Sequence, residues 1–269
     1  MYEDAQEIFD YLPIRRNLPE NDYIDHLWQS YTALENSGND ARFFSIMPFH
    51  LLFMLGLQYK VIRLAKCHKQ AIDLFFSGVG GRNKNKLILN QRSVFDIALI
   101  GEKTLIDVFQ LINLQQIDIK RIKELIDKRN DTLAHAKGSI DREPEKRIAN
   151  YIDSLSVIQK QCYQLNQDFV ERFIAEIQSN DDTGLLLDVQ FLKLGLCLHD
   201  IDDIIQIILE SQKLNMPHWE QITNLGLALS YDKTIRILRD VSTGNFNEKY
   251  KILARSILSK YDDEDSIIL

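Results

Sequence analysis

The chain has 269 residues, of which 45% are hydrophobic and 26% charged, and its formal net charge is −7. This is apolar content enough for one large or two smaller packed domains, and it reads as an ordinary soluble globular protein rather than a disordered one. Cys67, Cys162 and Cys197 each lie inside an apolar helical pattern with no pair at metal-ligand spacing. A disulfide framework and a zinc site are therefore not expected, and a reducing cytoplasm fits best.

The N-terminus, MYEDAQEIFDYL, is acidic and amphipathic, the wrong charge for a signal or transit peptide, and Pro13 stops it. A second helix is predicted over Asp22 to Glu35, with Ile24, Leu27, Trp28, Tyr31 and Leu34 on one stripe and Ser37–Asp40 closing it. A long helix should follow from about Ser45 to Phe76, kinked near Pro48 or loosened at Gly56. Its most apolar part, Ile46 to Leu64, contains Pro48, His50, Lys60 and Arg63. The charge-free portion falls short of the roughly 20 residues a membrane span needs, so a buried core helix is predicted and no membrane association.

Residues 78 to 93 break the helical pattern with three glycines and carry Arg82, Lys84, Lys86 and Arg92. The run Gly78-Val79-Gly80-Gly81 has no preceding strand and no Gly-Lys-Ser/Thr ending, which argues against an NTP-binding loop. From Ala41 to Phe95 there are nine Lys or Arg against one acid, Asp73, leaving −15 on the remainder. Two readings stand side by side: these cations offset acidic neighbours, or they form a surface that attracts a phosphate backbone.

Helices resume over Val94 to Leu99 and Glu102 to Leu114, and Asp141 with Pro144 opens another that runs to about Gln178. That helix carries Ile148, Tyr151, Ile152, Leu155, Ile158, Cys162 and Leu165 at helical spacing. The polar cluster Ser179–Gly184 marks the best domain boundary, giving an N-terminal extension over 1–40, a helical bundle over 41–180 and a C-terminal helical domain over 181–269. Within the last, Leu194-Gly195-Leu196 recurs as Leu225-Gly226-Leu227, the sign of two stacked helix hairpins. His199 with Asp200, Asp202 and Asp203 reads as a solvated helix start, and Trp28 and Trp219 as core residues. The last nine residues, YDDEDSIIL, read as an acidic tail. No segment alternates apolar and polar residues for long, so the prediction is all-α.

The stretch Ile117 to Gly138 stands apart. Ile119, Ile122, Leu125 and Ile126 form the apolar face of a helix, and an unbroken polar run from Lys128 to Thr132 leads to Ala134, His135 and a helix-stopping Gly138. Arg129 with Asn130 straight after it, and His135 five intervening residues beyond Arg129, resemble the motif of the HEPN superfamily. Arg63 to His68 also fits the bare spacing but lacks the Asn and continues an apolar helix. The resemblance implies a HEPN-like bundle and metal-independent endoribonuclease chemistry: attack of a 2′-hydroxyl on its own phosphate, leaving a 2′,3′-cyclic phosphate, with no cofactor. His135 suits proton transfer near neutral pH, Arg129 suits the charge on the phosphoryl oxygens, and Asn130 would orient groups or hold a phosphate oxygen. Arg82, Lys84, Lys86 and Arg92 would bind the RNA backbone.

On a straight helix Arg129 and His135 are about 120° apart, so the helix must break within the motif or a second chain must complete the site. HEPN domains typically pair with two motifs facing one cleft, which implies a homodimer, or pairing with a related domain, through the motif face. A toxin or defence effector, restrained by an antitoxin or regulatory partner, is one outcome. The other is a non-catalytic helical scaffold for a protein or RNA partner. For the residues alone, a helix-end ion pair between Asp131 and His135, or Arg129 capping the end of another helix, serves equally. The Tyr that marks substrates of partner nucleotidyltransferases two positions after the His is here Lys137.

Overall fold

The computed structural model describes residues 3–14, 16–37, 40–78, 93–129, 144–177 and 194–262. The protein is all-α: among the described residues the β structure is a single isolated bridge between Pro13 and Cys197. The chain divides into two compact units, Met1–Cys162 with Phe191–Cys197, and Tyr163–Gln190 with Leu198–Leu269. The division therefore falls between Cys162 and Tyr163, inside a helix, and residues 1–40 belong to the first unit. The polar cluster expected as the boundary, Ser179–Gly184, lies outside the described residues.

In the first unit a 3₁₀ turn over Glu3–Tyr11 ends ahead of Pro13, and α1 (Leu18–Glu35) follows. It starts four residues before the expected Asp22, because the Asn17 side chain accepts a hydrogen bond from the Glu20 N–H and Pro19 pre-sets the first turn. Next come α2 (Ile46–Cys67) and α3 (Lys69–Gly78). The single long helix expected here is broken at His68, whose φ of −129° and ψ of 53° are not helical. Neither Pro48 nor Gly56 breaks it. Pro48 is in the first turn, where an N–H has no intrahelical partner to lose. Gly56 sets a close approach, since a Cβ there would lie 3.3 Å from Leu155 Cδ2.

α2 is the centre of this unit, with 18 of its 22 residues buried. It is apolar nearly all round, as a core helix must be. The segment Ala41–Cys67 has the length and hydropathy of a membrane span, yet 89% of its apolar window is buried inside the protein. Around it lie α1, the 3₁₀ turn Val94–Leu99 and α4 (Glu102–Val108). A turn over Phe109–Ile112 leads to α5 (Gln116–Arg129), and α6 (Pro144–Ile177) places Tyr151, Leu155 and Ile158 in the core.

The second unit contains the end of α6, with Phe169 and Phe173 stacked at 5.3 Å, then α7 (Leu198–Ser211), α8 (Met216–Leu229), α9 (Tyr231–Thr243) and α10 (Glu248–Asp262). α7, α8 and α9 pack on one another, and α9 packs on α10. Trp219 is fully buried and its indole N–H donates to the Leu209 carbonyl at 3.1 Å. The helix start at His199–Asp203 is packed rather than solvated: Asp200 is buried, and Asp203 accepts from Asn166 Nδ2 at 2.9 Å. Burial pushes the Asp203 carboxyl up, with the Asn166 hydrogen bond opposing it. The tail begins later than expected, for α10 includes Tyr261, whose ring meets Tyr231 edge-on at 5.8 Å, and residues 263–269 lie outside the described ones.

The two Leu-Gly-Leu sites occupy unlike settings. Gly195 is in a turn at φ +64° in the first unit, whereas Gly226 is inside α8 in the second. A Cβ at Gly226 would meet Thr234 Oγ1 at 2.7 Å and Ile205 Cγ2 at 3.2 Å, so the residue is a contact point for two helices. Gly226→Ala should therefore destabilise the second unit by about 1–3 kcal/mol despite the gain in helix propensity. Urea unfolding monitored by Trp219 fluorescence in a Trp28→Phe background checks this, and a more stable variant would show that Thr234 simply turns away.

Candidate functional site

α5 buries Ile119, Ile122, Leu125 and Ile126, the stripe read from the sequence. Its charged face does not simply meet solvent. α4 runs antiparallel beside it and supplies a ladder of ion pairs: Asp107 with Lys123 at 2.5 Å, Lys103 with Asp127 at 2.5 Å, and Glu102 with Arg129. The Lys103 pair is half-exposed, and pairs of that kind contribute little, about 0–1 kcal/mol. The last rung differs. Arg129 Nη2 donates to both carboxylate oxygens of Glu102, at 2.5 and 2.6 Å, and the Arg129 side chain is only 13% exposed.

Behind Glu102 the polar chain continues inward. His50, on α2 and fully buried, has Nε2 3.2 Å from Glu102 Oε1 and Nδ1 3.0 Å from the Tyr151 hydroxyl on α6. Burial disfavours the imidazolium and lowers the His50 pKa, with Arg129 reinforcing this and Glu102 opposing it. A neutral ring satisfies both contacts when Nε2–H donates to Glu102 and Nδ1 accepts from the Tyr151 O–H. Burial alone would raise the Glu102 carboxyl, but the His50 hydrogen bond and the Arg129 charge outweigh it and hold the group below its usual range. The result is one connected series, Tyr151 to His50 to Glu102 to Arg129, ending at the helix terminus where the motif begins.

Of the residues singled out from sequence, Arg129 is placed and is the terminus of this series. Asn130, His135 and the stop at Gly138 lie outside the described residues, as do Arg82, Lys84, Lys86 and Arg92. The competing match is split: Arg63 is 1% exposed in α2, and the half-buried His68 is the helix break. The basic stretch also shrinks as a surface, since Lys60 is buried and Arg42 pairs with Glu35 and Glu145. Sequence reasoning named Glu102 only as a helix start and Tyr151 only as part of an apolar stripe, and treated His50 only as an interruption in an apolar helix. The signal was present in that interruption, because an ionisable side chain in such a helix must find a partner. Among the described residues no three His, Cys, Asp or Glu side chains gather as a metal site.

No known protein family, curated protein or solved structure matches the chain.

The sign of the titration follows from the series. His50 has a folded pKa below its unfolded value, so the unfolded chain binds more protons and stability falls as pH drops through about 6.5. Glu102, also lowered, contributes stability present above about pH 4.3 that is lost as pH falls further. His50→Gln should remove the first component and diminish the second, because His50 is among the groups that hold Glu102 down. Melting temperatures of wild type and variant measured at about pH 7.5 and about pH 5.5 check it: equal losses in both proteins would place the titration elsewhere.

Proposed function

We propose that the chain is a metal-independent endoribonuclease of HEPN type, with Arg129 binding the phosphoryl oxygens, His135 transferring the proton and Asn130 orienting the phosphate. The observation that carries this reading is the anchoring of Arg129. A solvated cation at a helix end needs no support, whereas this guanidinium is held by a carboxylate that is itself held by a buried histidine. Fixing a cation before substrate arrives is how a site stabilises developing charge without reorganisation. Its Nε is buried and has no hydrogen-bond partner among the described residues, a donor that Glu102 does not use.

A second reading has its own observation. The Glu102 pair is also the last rung of the α4–α5 ladder, and it neutralises the very charge a phosphate would seek. A non-catalytic scaffold, binding a protein or RNA partner through the same face, requires no more than that.

RNA incubated with the protein in EDTA separates them. Cleavage to fragments ending in 2′,3′-cyclic phosphate is expected, with a loss of roughly 100-fold or more in His135→Ala, the usual scale for a general acid or base. Equal cutting by wild type and variant would assign the activity to a contaminant or to another site. No cutting, even with cell extract present to supply a trigger, would hand the site to the scaffold reading.

In the paired form of the enzyme reading two motifs face one another. Light scattering should return about twice the 31.4 kDa chain mass, and a strict monomer at micromolar concentration would remove the composite site. Lys84→Glu with Lys86→Glu should weaken RNA binding across all sequences and flatten its dependence on salt, because contacts to phosphate carry no base preference. An unchanged salt slope would assign those lysines to solvation.

A further inference from the structure

Lys60 is midway along α2 and only 4% exposed, a costly place for an ammonium. It donates to Gln159 Oε1, lies over the Tyr11 ring at 5.7 Å, and has Nζ 3.8 Å from the sulfur of Cys197. Cys197 is 2% exposed, and its Sγ is 3.6 Å from the same Gln159 oxygen. Amine, sulfur and amide therefore close a triangle inside the first unit, joining two residues 137 apart in sequence. Nothing in the RNA chemistry proposed above uses any of the three.

We propose that Lys60 and Cys197 are a modification site, which peroxide converts into a sulfur–nitrogen crosslink, a sulfenamide. The thiolate is the form that attacks peroxide; burial of Cys197 favours the thiol, and the ammonium beside the sulfur opposes it. The thiolate displaces hydroxide from hydrogen peroxide, breaking the O–O bond and forming the sulfenic acid. That hydroxide takes a proton from the Lys60 ammonium and leaves as water. The neutral amine then attacks the sulfur, the S–O bond breaks, the N–S bond forms, and a second water departs. In sum, one thiolate, one ammonium and one peroxide give one sulfenamide and two waters, with sulfur oxidised and peroxide reduced.

Two features favour this outcome over further oxidation. The amine is already in contact with sulfur, and an intramolecular nucleophile at that range outcompetes a second peroxide from solution. Access comes through Cys197 itself. It precedes α7 on a short non-helical segment, held to the N-terminus by the bridge to Pro13 and by the Ile14 N–H to Leu196 carbonyl bond at 3.0 Å. Local opening of that segment would part the Ile14–Leu196 hydrogen bond and the Pro13 pairing, and hydrogen peroxide is little larger than water.

The full-length protein, treated with hydrogen peroxide and digested without reductant, should yield the Lys60 and Cys197 peptides joined, lighter than their sum by two hydrogens. Dithiothreitol should restore both. Lys60→Arg keeps a cation but withholds a nucleophilic amine, since guanidinium does not deprotonate, so its Cys197 should proceed to sulfinic acid with no crosslink. The wild-type map decides the matter even if that variant fails to fold. Cys197 recovered as thiol or as sulfinic acid, with Lys60 unmodified while the half-exposed Cys67 is oxidised, overturns the proposal.

Discussion

The first unit depends on one constraint: α2 is buried on nearly every face, and it is not wholly apolar. Each ionisable side chain it carries must meet a partner on another element, or a desolvation cost of several kcal/mol goes uncompensated. His50 meets Tyr151 and Glu102, Tyr59 donates to Glu20 at 2.8 Å, and Lys60 meets Gln159 and Cys197. Glu20 in turn accepts from Ser93 Oγ at 3.0 Å and the Val94 N–H at 3.2 Å. Apolar burial brings α1, α4 and α6 against α2, but these contacts fix which part of each helix faces which turn of it. Hydrophobic packing alone tolerates sliding, whereas a buried histidine with partners on two elements does not.

The same constraint reaches the motif. Glu102 is the first residue of α4, where a carboxylate is favoured by the helix N-terminus. There it faces His50 on one side and Arg129 on the other. The orientation of Arg129 is therefore set by the core rather than by solvent, and the position of α4 against α5 is set by the same group. Fold and candidate chemistry therefore share a carboxylate.

The helices α5 and α6 were legible in the sequence from periodicity, and Pro144 as the start of α6 followed from the fixed φ of proline. The break at His68 was not legible, because no Gly or Pro marks it, and Pro48 and Gly56 drew attention to places where tertiary contacts tolerate them. Asp200 looked solvated for a related reason: charge predicts exposure only until a neighbouring helix covers it. The Glu102–Arg129 pair joins residues 27 apart on two helices, and spacing within one helix carries no information about it. Arg129 was found through its motif, while the residues that orient it were not, since partners across a core follow from packing geometry alone.

A shared carboxylate also determines which substitutions are informative. Removing Arg129 leaves Glu102 one-third exposed beside a neutral histidine, with its main cation gone, and breaking a buried pair in this way costs about 3–5 kcal/mol, less where solvent reaches the survivor. A loss of activity in Arg129→Ala thus mixes chemistry with a loosened α4–α5 contact. Lysine at the same position keeps the charge and can keep the pair, but it cannot present a planar fork to Glu102 and a phosphate at once. If Arg129 is only a rung of the ladder, lysine replaces it with little consequence. If it is the residue that faces the scissile phosphate, the fold survives and the function does not, because the property lost is one that only the reaction uses.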